Sequence, residues 1–255
     1  MKALSVIGIT RSGKTTTIEN IIRELKHRGF SVGSIKEIHY EGFAIDTEGT
    51  NTYRHRQAGS ELVTARGYKE TDILYQEKLP VEDILRHYTQ DYVIMEGVTD
   101  FNSPAILCLH DAAGLEEHLD KEYFNRVFMI SGVIANSKEG ILNGIPVVDP
   151  EDDIARMVDI ITEKVFDILP DFSPQCCSAC GFSCRELCAR ILKGQSQRSD
   201  CRIGETGILL SVDGKRINMV PFVQRILTDS IRALVGNLRG YRKGRKIEIT
   251  INDRS

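Results

Sequence analysis

The stretch that most restricts what this chain can fold into is Leu4 to Leu25, LSVIGITRSGKTTTIENIIREL. The apolar run Leu4-Ser5-Val6-Ile7 has the character of a buried strand, and Ile18, Ile21, Ile22 and Leu25 recur on one face of a helix. Between them lies Gly8-Ile9-Thr10-Arg11-Ser12-Gly13-Lys14-Thr15, which satisfies G-x-x-x-x-G-K-[ST] in its required strand-to-helix setting. The glycines let the backbone curl until successive N–H groups point inward, and the helix N-terminus adds a partial positive charge that favours phosphate oxygens. In this reading Gly8, Thr10, Arg11, Ser12, Gly13, Lys14, Thr15 and Thr16 cradle a nucleoside triphosphate. Lys14 reaches the β- and γ-phosphates, and Thr15 offers its hydroxyl to Mg²⁺.

The rest of the chain supports one fold class. Ser31–Lys36 reads as a second strand, so strand, helix and strand form a parallel unit. Asp91–Gly97, Ile106–Leu109 and Val127–Ser131 are further apolar strands, Ile145–Val148 is a candidate, and Ile154–Ile168 is an amphipathic helix. Short strands at Glu61–Ala65 and Asp72–Tyr75 and a helix over Val81–His87 are also expected. Continuous apolar strands alternating with helices predict an α/β P-loop NTPase fold, a mostly parallel sheet covered by helices on both faces.

Charge and cysteine divide the chain. Residues 1–170 hold 18 Lys+Arg against 28 Asp+Glu, while residues 171–255 hold 15 against 8. Six of the 7 cysteines lie between Cys176 and Cys201. Two domains are therefore expected: a P-loop nucleotide-binding domain over 1–170, and a small cysteine-rich α+β domain over 171–255, joined near Pro170–Gln175. Asp213-Gly214 predicts a hairpin turn, a helix runs from Pro221 to about Leu238, and Lys246–Ile251 alternates as a strand. No run of about 18 apolar residues occurs, so no membrane span is predicted. The N-terminus passes directly into the first strand, which leaves no room for a signal peptide, and a cytoplasmic protein is expected.

Two carboxylates are candidates beside the phosphate loop. Glu96 ends an apolar strand, where a carboxylate can hold Mg²⁺ next to Thr15. Asp46, in the polar, Gly-punctuated stretch 39–60, is a candidate for orienting the attacking water or the outer shell of Mg²⁺. Lys14, Asp46 and Glu96 thus form the predicted catalytic set, and Lys36, His39, Arg54 and His55 are candidate contacts to phosphate or an anionic partner.

Three segments resemble the MobB family, the molybdopterin-guanine dinucleotide biosynthesis protein B. They are Gly8 to Thr15, the string Lys36…His39…Asp46-Thr-Glu-Gly49…Thr52-Tyr-Arg54-His55-Arg56…Ala58-Gly59, and Val93-Ile-Met-Glu96-Gly97. The resemblance covers about residues 1–165. It implies a dimeric GTP-binding protein with weak GTPase activity, acting beside the nucleotidyltransferase of the molybdenum cofactor pathway. In this family a His-rich run often follows the lysine that Lys36 matches; here Glu37-Ile38-His39-Tyr40 replaces most of it. No Asn-Lys-x-Asp guanine motif is present, and Ala135-Asn136-Ser137-Lys138 is only a loose counterpart.

The cysteine segment reads Cys176-Cys177-Ser-Ala-Cys180-Gly-Phe-Ser-Cys184-Arg-Glu-Leu-Cys188, with Cys201 after a helical stretch. Such density in a chain read as cytosolic favours metal over disulfides or inert thiols. The segment resembles the four-iron cluster region of Rnf-type electron-transport subunits and corrinoid iron–sulfur proteins. That resemblance implies a [4Fe–4S] cluster on Cys177, Cys180, Cys184 and Cys201. One residue is missing before Cys184, so Cys188 or Cys176 is a substitute ligand. Structural Zn²⁺ on four cysteines is the alternative. A nucleotide-gated iron–sulfur carrier or electron-transfer accessory protein is therefore the second functional reading. The basic C-terminal part has few aromatics and no nucleic-acid motif, so nucleic acid is an unfavoured partner.

Overall fold

The structure, a computed structural model, describes residues 1–137, 140–170, 177, 180–201, 208, 210–212, 215–217, 219, 221–241, 247 and 249. In chain order its elements begin β1 (Lys2–Ile7), α1 (Lys14–His27), β2 (Val32–Lys36), α2 (Asn51–Gln57), β3 (Leu62–Arg66), β4 (Thr71–Tyr75) and α3 (Val81–Leu85). There follow β5 (Tyr92–Glu96), β6 (Ala105–Cys108), β7 (Val127–Ser131), β8 (Ile141–Leu142), β9 (Ile145–Pro146) and α4 (Ile154–Lys164). The described chain closes with α5 (Cys184–Leu192), β10 (Leu210–Val212), β11 (Lys215–Ile217) and α6 (Pro221–Val235).

Five strands form one parallel sheet in the order β2-β5-β1-β6-β7. β1 and β2 share this sheet, as the strand–helix–strand pattern predicts, but β5 lies between them. The burial pattern explains the insertion. Tyr92, Val93, Ile94 and Met95 are all buried and need neighbours on both edges and both faces. The polar, Gly-containing β2 is only partly covered and suits the edge.

On one face α1 brings Ile18, Ile21 and Leu25, and α4 brings Met157, Val158 and Ile161, against Leu4, Val6, Ile94, Ile106 and Met129. A fully buried Ile or Leu of this kind stabilises the fold by about 1.5–3 kcal/mol. On the other face Ala3, Val93 and Met95 meet Leu85 of α3, while Ile7, Leu107 and Ile130 meet Leu115, Ile134 and Ala135 from short 3₁₀ turns.

Several boundaries differ from the sequence reading. α4 ends at Lys164 rather than Ile168, because Val165 turns extended and the chain pairs back on the N-terminus. Asp167 bridges Lys2 antiparallel, and Ile168 N–H donates to Met1 O at 3.2 Å. β3 and β4 pair only with each other, as an antiparallel hairpin outside the central sheet. Helix α3 stops at Leu85. The expected linker Asp171–Gln175, the Asp213-Gly214 turn and most of Lys246–Ile251 lie outside the described residues. Among the described residues no helix is long and apolar enough to cross a membrane.

Candidate functional site

The phosphate loop is shaped by its backbone. Buried Val6 and Ile7 carry central β1 to its C-terminal end, where the chain turns at Gly8 with φ of 143°. Arg11 (φ 63°) and Gly13 (φ 91°) take left-handed conformations that curl the loop before α1. Ser12 is fully buried and fastens the curl, its Oγ donating to Ile9 O at 2.9 Å. Gly13 caps α1 without a side chain, so the amides of the first turn have no side-chain acceptor. Lys14 Nζ donates to Ile9 O across the loop, while Thr10, Arg11, Thr15 and Thr16 are exposed along it.

Neighbouring strand ends clamp the loop. A Cβ on Gly8 would lie 2.2 Å from Cys108 O, and one on Gly132 would lie 2.1 Å from Ser12 O. Val133 N–H donates to Ser12 O at 3.2 Å, and His110 Nε2 lies 3.2 Å from Thr10 O. Gly132, Val133 and His110 escaped the sequence reading. The only sign of them was a glycine directly after the strand-ending Ser131. The 3₁₀ turn Val133–Ser137 carries exposed Asn136 of the loose guanine-motif counterpart; Lys138 lies outside the described residues. Cys108 is fully buried, its Sγ donating to Thr17 Oγ1 at 3.7 Å, and burial pushes its thiol pKa up to about 12. It is a packing residue, not a thiolate.

Sheet register supplies the carboxylate. Glu96 aligns with Val6 on one side and Lys36 on the other. Its Oε1 accepts from Lys36 Nζ at 2.8 Å and from Thr15 Oγ1 at 3.3 Å. The Glu96 side chain is 14% exposed and that of Lys36 58%. The structure therefore brings Thr15, Lys36 and Glu96 to one point at the mouth of the loop. A hydroxyl beside a carboxylate, both hard oxygen donors, is a set that fits Mg²⁺. His39 comes near the same strand end: a Cβ on Gly97 would lie 3.8 Å from its Nε2.

Asp46 behaves differently. Its Oδ1 accepts from Thr50 Oγ1 at 2.6 Å and from Thr52 Oγ1 at 2.8 Å, within its own loop. The Thr50 hydrogen bond, helped by Thr52 and the nearby Arg56, holds its pKa below the usual carboxylate value. Thr50 in turn caps α2, accepting from Tyr53 N–H at 3.1 Å. Among the described residues no hydrogen-bond partner of Asp46 comes from Gly8–Thr16 or Glu96. Arg54 and His55 are exposed on α2.

The cysteines gather around α5. Ser183 caps this helix, accepting from Glu186 N–H at 3.1 Å. Cys184, Cys188 and Cys201 are buried, and Cys177 and Cys180 partly so. Cys188 and Cys201 pack with Leu169 and Leu187, and Cys177, Cys180, Phe166 and Phe182 lie against them. The Arg190 guanidinium stacks 4.4 Å from the Phe182 ring centre. Burial pushes the Cys188 thiol up to about 12. The described cysteines form no disulfide, and among the described residues no three His, Cys, Asp or Glu side chains converge as a metal site. The described arrangement of Cys177, Cys180, Cys184 and Cys201 is thus not a closed ligand set. Cys176 lies outside the described residues.

The parallel sheet, the curled loop and the strand-end carboxylate define a protein of the P-loop NTPase fold. More closely, the chain belongs to the molybdopterin guanine dinucleotide synthesis protein B family, MobB, which matches residues 3–131. A Methanocaldococcus jannaschii protein with the provisional name molybdopterin-guanine dinucleotide biosynthesis adapter protein is 30% identical over 259 residues, covering 99% of this chain and 98% of its own length. That alignment runs on through the cysteine segment. The molybdopterin-guanine dinucleotide biosynthesis adapter protein of Haemophilus influenzae is 33% identical over 109 residues, 41% of this chain and 61% of that protein. The crystal structure of Bacillus subtilis MobB superposes with a TM-score of 0.53 at 20% identity, covering 66% of this chain and 100% of that one.

Proposed function

We propose that this protein binds GTP with Mg²⁺ in the Gly8–Thr15 loop, hydrolyses it slowly, and serves as a homodimeric adapter in molybdopterin-guanine dinucleotide synthesis. Its partner in this reading is the nucleotidyltransferase of that pathway. The observation that carries the site assignment is the meeting of Thr15 Oγ1 and Lys36 Nζ on Glu96 Oε1 beside a curled phosphate loop. Loop amides and Lys14 stabilise charge on the transferring phosphoryl group. Thr15 and Glu96 would hold Mg²⁺, which supplies charge neutralisation between the phosphates. Asp46 orders its own loop in this reading, and Glu96 takes the positioning role. The guanine preference rests on the names of the relatives, and Asn136, exposed on the turn whose Val133 N–H bonds Ser12 O, is the candidate for a base contact in this reading.

Calorimetric titration with GTP and ATP, each with Mg²⁺, tests this. GTP binds and ATP binds more weakly. Lys14→Ala loses a charge-assisted contact and about 10- to 100-fold in GTP affinity. Absence of binding by either nucleotide overturns the reading.

The cysteine segment supports a metal-binding role, with a [4Fe–4S] cluster ahead of Zn²⁺. The supporting observation is that Cys188 and Cys201 pack with Leu169 and Leu187 while Cys177 and Cys180 lie against them, which gathers four sulfurs in one layer. Ligation requires the segment around Cys177 and Cys180 to close on Cys184 and Cys201. Iron, acid-labile sulfide and zinc assayed on anaerobically purified protein decide it: about four irons per cluster supports the cluster, about one zinc and no colour replaces it, and no metal removes the role.

A further inference from the structure

The cysteine helix is fastened to the polypeptide that leaves the candidate nucleotide site. After Glu96 the chain runs through 97–104 before β6, and this connection is unusually buried: Val98, Phe101, Asn102 and Ser103 are all inside. Connecting segments normally lie on the surface, where water satisfies their backbone. Here two arginines take over that task. Arg126, 2% exposed, donates to the carbonyls of Thr99 (3.0 Å), Ser103 (2.9 Å) and Phe101. Arg185 donates to the Asp100 carbonyl, between those of Thr99 and Phe101, at 2.9 Å. Arg185 belongs to α5 and directly follows Cys184.

α5 is tied to the same region in two further ways. Arg185 pairs with Glu122 at 2.5 Å, on the short turn Glu122–Arg126 that also carries Arg126. α5 also packs directly along that turn. The loop itself is not fully satisfied as packed: both polar atoms of the buried Asn102 amide lack a protein hydrogen-bond partner among the described residues. At the other end, Glu96 O accepts from Glu37 N–H, Gly97 N–H donates to Val6 O, and the Glu96 side chain meets Thr15.

From this continuity we propose that α5 is an effector element of the nucleotide site. Docking of the cysteine helix on the Asp100 carbonyl through Arg185 holds the 97–104 connection, and with it Glu96, in the arrangement that faces Thr15. Occupancy of the loop and the state of the cysteine segment then influence each other, and by linkage the effect is equal in both directions. The bistable part is α5, docked or released. Its anchoring arginine is 36% exposed and Glu122 70%, so the ion pair is weak. The Asp100 bond and the packing of Leu187 and Cys188 carry the docked state. This inference rests on nucleotide binding as proposed above.

Hydrogen exchange of the full chain, with and without GTP·Mg²⁺ and with affinity measured in parallel, tests it. On binding, amides of residues 8–16 gain protection, and those of α5 exchange at least about fivefold more slowly. Arg185→Ala still binds GTP and still protects residues 8–16, but the response of α5 disappears. Glu122→Gln, which removes the ion pair and leaves the Asp100 bond, keeps the response. If 8–16 become protected while α5 of the unaltered chain does not, the linkage is overturned and the nucleotide reading stands. The linkage also fails if Arg185→Ala responds fully, or if Glu122→Gln abolishes the response. If no nucleotide binds, the nucleotide reading falls and takes the linkage with it, an outcome told apart by the titration.

Discussion

Two glycines, each directly after a different strand, close the phosphate loop. Gly8 was readable as the first position of a motif, whereas Gly132 belongs to none. Yet Gly132 has φ of 89°, and its missing Cβ makes room for Ser12 O. Gly132→Ala forces that carbonyl away and strains the backbone by about 1–3 kcal/mol. The expected result is a lower denaturation midpoint and weaker GTP binding in the same variant, checked by urea unfolding and calorimetry. Unchanged binding would detach Gly132 from the loop. Asp46 divides its two oxygens. Oδ1 accepts from Thr50 and Thr52 within its own loop, while buried Oδ2 has no hydrogen-bond partner among the described residues.

At the scale of elements, small polar side chains fix where helices begin. Asp46 and Thr50 together start α2, and the Thr50 bond is what lowers the Asp46 pKa. A carboxylate whose folded pKa lies below its unfolded one adds its full stabilisation above the unfolded value. That contribution is lost as pH falls through the folded value. Amides over 46–57 therefore keep full protection above the ordinary carboxylate value and lose it progressively as pH falls from there through the lowered folded value. Asp46→Asn removes that acid step, which exchange measured against pH reads directly. In α5 the cap is Ser183, and Ser183→Ala costs this helix about 1 kcal/mol. Exchange in α5 then speeds up by about fivefold while the central sheet is unaffected, since the cap touches no strand.

Across the whole molecule, the acidic residues 1–170 and the basic remainder meet where Arg185 reaches Glu122 and Asp100 O, and where Arg198 reaches the carbonyls of Asp167 and Ile168 at 2.8 and 3.0 Å. The pair with Glu122 is exposed and screened by salt, whereas the parallel sheet is held by apolar burial that salt does not weaken. Raising ionic strength from about 0.05 to 1 M, across which the Debye length shrinks several-fold, therefore changes the protection of α5 little, because the Asp100 bond and the packing of Leu187 and Cys188 carry its docking, and leaves β1 and β5 as protected as before. Equal loss in both would place α5 in the same cooperative unit as the sheet.

The chain by itself determined the elements whose cause is local. The period of Ile18, Ile21 and Leu25 makes a helix, the run Tyr92–Met95 makes a buried strand, and the motif Gly8–Thr15 makes a loop that needs left-handed backbone at Gly13. These signals act between residues a few positions apart, so sequence displays them. Tertiary structure alone decided which strands lie side by side. Lys36 and Glu96, separated by 60 positions, share a hydrogen bond because β5 rather than β1 borders β2. Gly132 reaches Ser12, and Arg185 reaches Asp100, likewise across long separations in sequence. Strand order follows from total burial over the whole sheet, a quantity that no window of neighbouring residues contains.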